Sequence, residues 1–451
     1  MPLLTTDEGI RAWLVSQIPT ATVQSITPLR GGTANFVWRA MLAVPQELPL
    51  PFGLRRIDTS TMDAQQLQLQ SNTQLFTVIV KHAEAFIASS PDVPFDLSRM
   101  RYEVNAMHLA CGLGVSDPSV SKDHGISHVI PTTQITCPRV LHFDEETYTL
   151  IMEDAGVGSM HLKAYMSTDT TTTNRSNINE CMLDGTFSRA ESPANSVYAS
   201  IGSGLGSFIG RLHNTGRSMT KQDLHSYSNP HALSMSNYAL YARFERALEH
   251  HKVDALQRGD SVNAMKWASD ILMAGDTHDQ ASICMGDFWP GNILIHTINP
   301  TALHLAPGSD TMPVGSSNIC VSVVDWELTR VGPTPMDLAQ FLAEAYCIHI
   351  YRQPIPNLLD AFQRAYLAVT LPIQPFSAAD LQLCCIHIGA HLMLWGPHTG
   401  WFDSGDKENT NRLINLGLSL MNAAWRCDWA AVAATEIGSS LQPFIHAVTQ
   451  L

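Results

Sequence analysis

The feature that most constrains this chain is the stretch Cys284-Met285-Gly286-Asp287-Phe288-Trp289-Pro290-Gly291-Asn292-Ile293-Leu294-Ile295, with Val323-Val324-Asp325-Trp326-Glu327 downstream of it. An Asp and an Asn flanking a Pro-Gly turn lead into an apolar strand-like run, and a second Asp closes another such run. That is the arrangement kinase-type phosphoryl transfer requires. One carboxylate accepts the proton of an attacking hydroxyl, while a carboxamide oxygen and a second carboxylate hold magnesium against the phosphates of ATP. Asp287 is the candidate base; Asn292 and Asp325, hard oxygen donors suited to Mg²⁺, are the candidate metal ligands. Each dipeptide alone is ordinary turn chemistry. The set is what points to a reaction.

Upstream residues complete the set. Phe76-Thr77-Val78-Ile79-Val80-Lys81 reads as a strand ending in a cation, the place where a nucleotide kinase pairs the α- and β-phosphates. A helix starting at Pro94-Phe95-Asp96 carries the apolar stripe Leu97, Met100, Val104 and Met107, with Glu103 beside it and able to reach back to Lys81. Gly31 and Gly32, between two strand-like runs, are candidates to cover phosphates with backbone N–H groups. The run Thr147–Met152 ends in Glu153-Asp154, so Met152, Glu153 and Asp154 form a candidate hinge whose backbone meets adenine.

At 451 residues the chain is long enough for two domains. The expected division is a β-rich nucleotide-binding lobe over 1–153 and a helical catalytic and acceptor-binding lobe over 154–451, with ATP between them. Insertions are read at 45–74, 167–196 and 298–318 from their Pro, Gly, Thr, Ser and Gln content. A helix through Ile201, Leu205, Phe208 and Leu212 carries small residues for close packing and stops at Gly216. The formal net charge of −14 argues against nucleic-acid and anionic-membrane surfaces and favours a cationic small substrate. The 9 cysteines include no C-x-x-C pair and read as reduced thiols of a cytoplasmic protein. No run is read as a membrane span, and the oligomeric state is not legible.

Together, Lys81, Glu103, Met152-Glu153-Asp154, Leu205–His213, Gly286–Asn292 and Asp325-Trp326-Glu327 resemble the aminoglycoside phosphotransferase/choline kinase group of the protein-kinase-like superfamily. Within that group, Met285–Asn292 and Asp325-Trp326-Glu327-Leu328, with Gly332-Pro333 and Asp337-Leu338, resemble the methylthioribose-kinase-like branch. The resemblance implies a bilobal α+β fold, ATP and Mg²⁺, and transfer of the γ-phosphate to a small-molecule hydroxyl. It departs from the group at Met285, where the usual residue is His, so the loop is expected to be braced by apolar packing. Asp325 is followed by Trp-Glu and no Ala-Pro-Glu follows, which argues against a protein substrate. A catalytically inactive binding protein and a methylthioribose-type sugar kinase are the competing readings. The stretch 394–403 adds Trp401 and Asp403 to Glu327 as candidate contacts for a hydroxylated amine.

Overall fold

The computed structural model describes residues 3–29, 32–54, 73–116, 133–167, 193–278, 280–298, 318–403 and 405–450. Most of the insertions read at 45–74, 167–196 and 298–318 lie outside the described residues. The architecture is α+β, with a small antiparallel β unit and a larger, mainly helical one. By contacts, the described part of the first unit lies within Met1–Cys111 and Pro138–Gly158, and the second takes Gly112–Cys137 and the chain beyond Ser159.

The first unit is built on a sheet in the order Thr22–Pro28, Phe36–Pro45, Thr73–His82, Thr149–Glu153, Val140–Asp144, every pairing antiparallel. Successive strand residues face opposite sides. Phe76, Val78 and Val80 therefore share one face, where they join Trp38, Ala40 and Leu42 against Ile10, Trp13 and Leu14 of the helix Asp7–Gln17. That helix begins where expected, with the Thr6 hydroxyl accepting from the N–H of Gly9. Lys81 belongs to the opposite face, paired in register with Val37 and Leu150. The helix expected from Pro94 starts only at Arg99, because Ser90–Pro94 is a short strand paired with Phe86–Ile87. The turn between them is held by Arg99, 1% exposed, which donates to the carbonyls of Phe95, Asp96 and Glu84 and to Asn35.

In the second unit a sheet runs Met160–His161, Ile293–Ile298, Asn318–Val323, Thr133–Thr136, Val115–Ser116, with Thr133–Thr136 parallel to its neighbour Asn318–Val323. A separate ladder pairs Ala281–Cys284 with Arg330–Pro333. Around these lie the helices Pro193–Ser218, Pro335–Tyr351, Leu358–Thr370, Ala378–Leu394 and Lys407–Trp425. Pro193–Ser218 does not stop at Gly216. That glycine lies inside the helix, where a Cβ would come within 2.3 Å of the Ser282 hydroxyl and 2.4 Å of the Ile283 nitrogen, so it permits contact with a strand. Among the described residues, one segment, Ala378–His398, is apolar and long enough to cross a membrane by composition, and 72% of its window is buried inside the protein, as in a core helix. The described cysteines form no disulfide.

Candidate active site

The sequence places Asp287 and Asp325 on separate loops, and strand pairing brings those loops together. The loop 285–292 leaves Cys284 and re-enters a strand at Ile293; the loop 324–329 leaves Val323 and re-enters at Arg330. Cys284 pairs with Arg330 and Ile293 with Val323, so each loop is pinned to the other at both ends. Between the pins, the N–H of Val324 donates to the Asn292 carbonyl at 2.9 Å and Arg330 Nη1 to the Gly286 carbonyl at 3.0 Å.

Asp287 keeps part of its surface open, yet both carboxylate oxygens are engaged. Asn292 Nδ2 donates to Oδ2 at 2.8 Å and Gln340 Nε2 to Oδ1 at 2.6 Å. A carboxylate only accepts, so these contacts orient the Asn292 amide with its NH₂ towards Asp287 and its oxygen away. The crowding of protein around Asp287, opposed by the Gln340 hydrogen bond and reinforced by the charge of Asp325, pushes its carboxyl up to about 6. Asp325 holds a left-handed backbone, φ 67°, and one of its carboxylate oxygens lies within 4.8 Å of one of Glu327's. The Asn292 oxygen, turned from Asp287, and the carboxylates of Asp325 and Glu327 are all oxygen donors, the kind a hard divalent cation takes.

Met285 is buried, and Phe288 of the same loop stacks on Phe341, so the loop does pack against apolar side chains; a polar brace is added to that packing. The Asp337 carboxylate accepts from the backbone N–H of Met285 at 2.7 Å and of Gly286 at 2.9 Å, and His213 Nε2 lies 3.2 Å behind it. The imidazole comes from the helix Pro193–Ser218, so the expected apolar packing is supplemented by a polar brace from Asp337. The signals were present in His213 and in Asp337, yet nothing local ties either to backbone at position 285.

The remaining candidates are placed as follows. Lys81 donates to Glu103 at 2.8 Å, at 4% and 0% exposure, so the ion pair forms within the first unit. Met152 is buried at the end of its strand. Glu153 accepts from Arg139 at 2.6 Å while its own N–H donates to the Arg139 carbonyl at 3.0 Å, and Asp154 accepts from Arg39 at 2.6 and 2.9 Å. Gly31 lies outside the described residues, and a Cβ on Gly32 would meet only open space. Trp401 is 3% exposed and its ring carries Lys163 Nζ at 4.1 Å, with the Trp289 ring 5.2 Å from the same ammonium. Lys163, lowered in pKa by burial, also donates to the Thr399 carbonyl at 3.2 Å. The chain's own cation thus sits over the aromatic face considered for an acceptor amine. Asp403 is exposed. A buried carboxylate absent from the sequence reading is Glu344, one helical turn beyond Gln340, which His391 Nε2 meets at 2.6 Å.

No family model matches the chain. It is 23% identical over 440 residues to a 4-hydroxytryptamine kinase of Psilocybe cyanescens, across 93% of each chain. It is 22% identical over 438 residues to a 4-hydroxytryptamine kinase of Psilocybe cubensis, again across 93% of both. Among solved structures, a choline/ethanolamine kinase family protein from Mesorhizobium loti matches with a TM-score of 0.42 and 14% identity, over 99% of this chain and 100% of that one.

Proposed function

We propose that this chain, a relative of the 4-hydroxytryptamine kinases, is a small-molecule kinase that transfers the γ-phosphate of ATP to the hydroxyl of a hydroxylated amine. The observation that carries the reading is the pair of loops pinned together at both ends, which sets Asp287 and Asn292 against Asp325. The acceptor hydroxyl loses its proton to Asp287 as its oxygen bonds to the γ-phosphorus and the bond to ADP breaks. Asn292 and Asp325 would hold Mg²⁺, with Glu327 beside them on the metal side of the site. When bound, that ion supplies charge neutralisation at the phosphates. Lys81, fixed by Glu103, is the phosphate partner in the first unit.

An inactive binding protein has no use for a base clamped on both oxygens, and the polar brace from Asp337 removes the reason to read Met285 as a loss of function. For the acceptor, the net charge of −14 and the 4-hydroxytryptamine after which the relatives are named both favour an amine. The protein is read as cytoplasmic, the described cysteines forming no disulfide.

The test is steady-state turnover with ATP, Mg²⁺ and a panel of hydroxyindoles, small amines and methylthioribose. Asp287→Ala is expected to lower kcat by about 10³-fold or more with ATP affinity retained, whereas Asp325→Ala also weakens Mg-nucleotide binding. Equal and mild effects of both substitutions reject the assignment. Turnover of methylthioribose with none on any amine rejects the acceptor class.

A further inference from the structure

We propose that Gln340 is a positioning residue for the catalytic carboxylate: its side-chain N–H fixes the rotation of Asp287 so that a carboxylate lone pair faces the acceptor hydroxyl. This rests on Asp287 being the base.

The terminal torsion of an aspartate is broad, so a carboxylate held by one donor swings about that bond. Asp287 has two donors, one on each oxygen, and they come from different elements. Asn292 lies on the same loop, 2.8 Å from Oδ2, and Gln340 lies on the helix Pro335–Tyr351, 2.6 Å from Oδ1. Two directed bonds define the carboxylate plane. Each oxygen retains a further lone pair with which to take a proton.

The same helix also fixes the backbone beneath the base. Asp337 accepts from Met285 and Gly286, and Gln340 follows it at the spacing that puts two side chains on one helical face. Backbone and side chain of the base are thus referenced to one rigid element, so a shift of that helix would move both together. Between Pro335 and Ile348 every helix residue is buried except Gln340. Asp287 is likewise partly open while its neighbours Gly286 and Phe288 are buried, so the contact lies at an edge that a solute reaches. An apolar residue would suit the packing of that helix better. A neutral amide at the one open position of that buried stretch, spent on the base, is what orientation requires.

The experiment uses the full chain with ATP, Mg²⁺ and 4-hydroxytryptamine, following ADP release, and also the slow hydrolysis of ATP with water as acceptor. Gln340→Met keeps the length and removes the donor; Gln340→Glu keeps the shape and sets a negative charge against Asp287. Both are expected to lower kcat by about 10- to 100-fold with KM for ATP unchanged, since a misplaced reacting group costs about that much. Glu is expected to be at least as damaging as Met, although a packing role would make the isosteric Glu the milder change. In an Asp287→Asn background, Gln340→Met is expected to cost less than about 2-fold more, because the two residues act as a unit. Wild-type turnover in Gln340→Met, while Asp287→Asn is inactive, overturns the proposal and leaves the base assignment standing. Undiminished turnover in Asp287→Asn overturns the base assignment itself. A full additional loss in the Asp287→Asn background shows a structural role and also overturns the proposal.

Discussion

Gly286 and Asp325 hold left-handed backbone, at φ 84° and 67°, in the loops that are pinned together. For Asp325 the conformation is tolerable, since a short polar side chain visits that region more readily than others. For Gly286 it is obligatory on a second count: a Cβ there would lie 1.9 Å from the Leu328 carbonyl oxygen and 2.4 Å from Arg330 Nη1. The glycine before the base is therefore one of the points where the loops touch. Gly286→Ala must either push the second loop away or abandon the left-handed turn, and strain of this kind costs about 1–3 kcal/mol before the clash is counted. The expected outcome is a loss of both thermal stability and turnover, with weaker Mg-nucleotide binding because Asp325 moves with Leu328. A variant with wild-type kinetics and melting temperature would show that the loops do not meet through this residue.

At the scale of elements, the helix Pro193–Ser218 lies so close to Leu358–Thr370 that a Cβ on Gly202 would sit 2.3 Å from the Leu358 carbonyl and one on Gly206 would sit 2.1 Å from that of Phe362. Backbone cannot yield as a side-chain tip does. Gly206→Ala is expected to cost about 1–3 kcal/mol in chemical denaturation, as overpacking does, while kcat of the folded fraction stays near wild type; an unchanged midpoint would contradict the contact. The small residues of this helix were legible in the sequence, as were the strand ending at Lys81, the Glu103 partner and the loop carrying Asp287 and Asn292. Each is a local pattern with a period or a spacing. The brace was not legible, because Asp337 meets backbone N–H groups and every residue type offers those. Gly216 was misread for a related reason: glycine suits a helix stop and a strand contact equally, and only the position of Ser282 and Ile283 decides. The cover on Trp401 depends on Lys163, which belongs to the short helix Leu162–Ser167 and follows no motif.

At the scale of the molecule, the large unit buries histidines, and this makes its stability depend on pH. His387 is 3% exposed, with its Nδ1 2.5 Å from the Tyr241 hydroxyl. Burial, and then the charges of His391 and Arg330, hold its pKa well below the usual 6.5. His213, behind the loop brace, is lowered by burial as well, with Asp337 opposing the shift. A histidine depressed in the folded state binds its proton more readily when unfolded. Its contribution to stability is therefore complete above 6.5 and is lost as the pH falls from there towards the folded value. Asp287 works the other way in the same window. Its carboxyl is raised from 3.8 to about 6, so the folded state takes up a proton first and gains stability as the pH drops. A comparison with a variant separates the two. His387→Gln keeps an acceptor for Tyr241 but cannot be protonated, so it is expected to lower the melting temperature near pH 7.5 and to flatten its decline between about pH 7 and pH 5.5 relative to wild type. Titrating the denaturation midpoint of both proteins over that range is the measurement. Parallel curves would mean that His387 is accommodated as the imidazolium, and would remove the buried imidazole of the helix Ala378–Leu394 as a source of acid sensitivity.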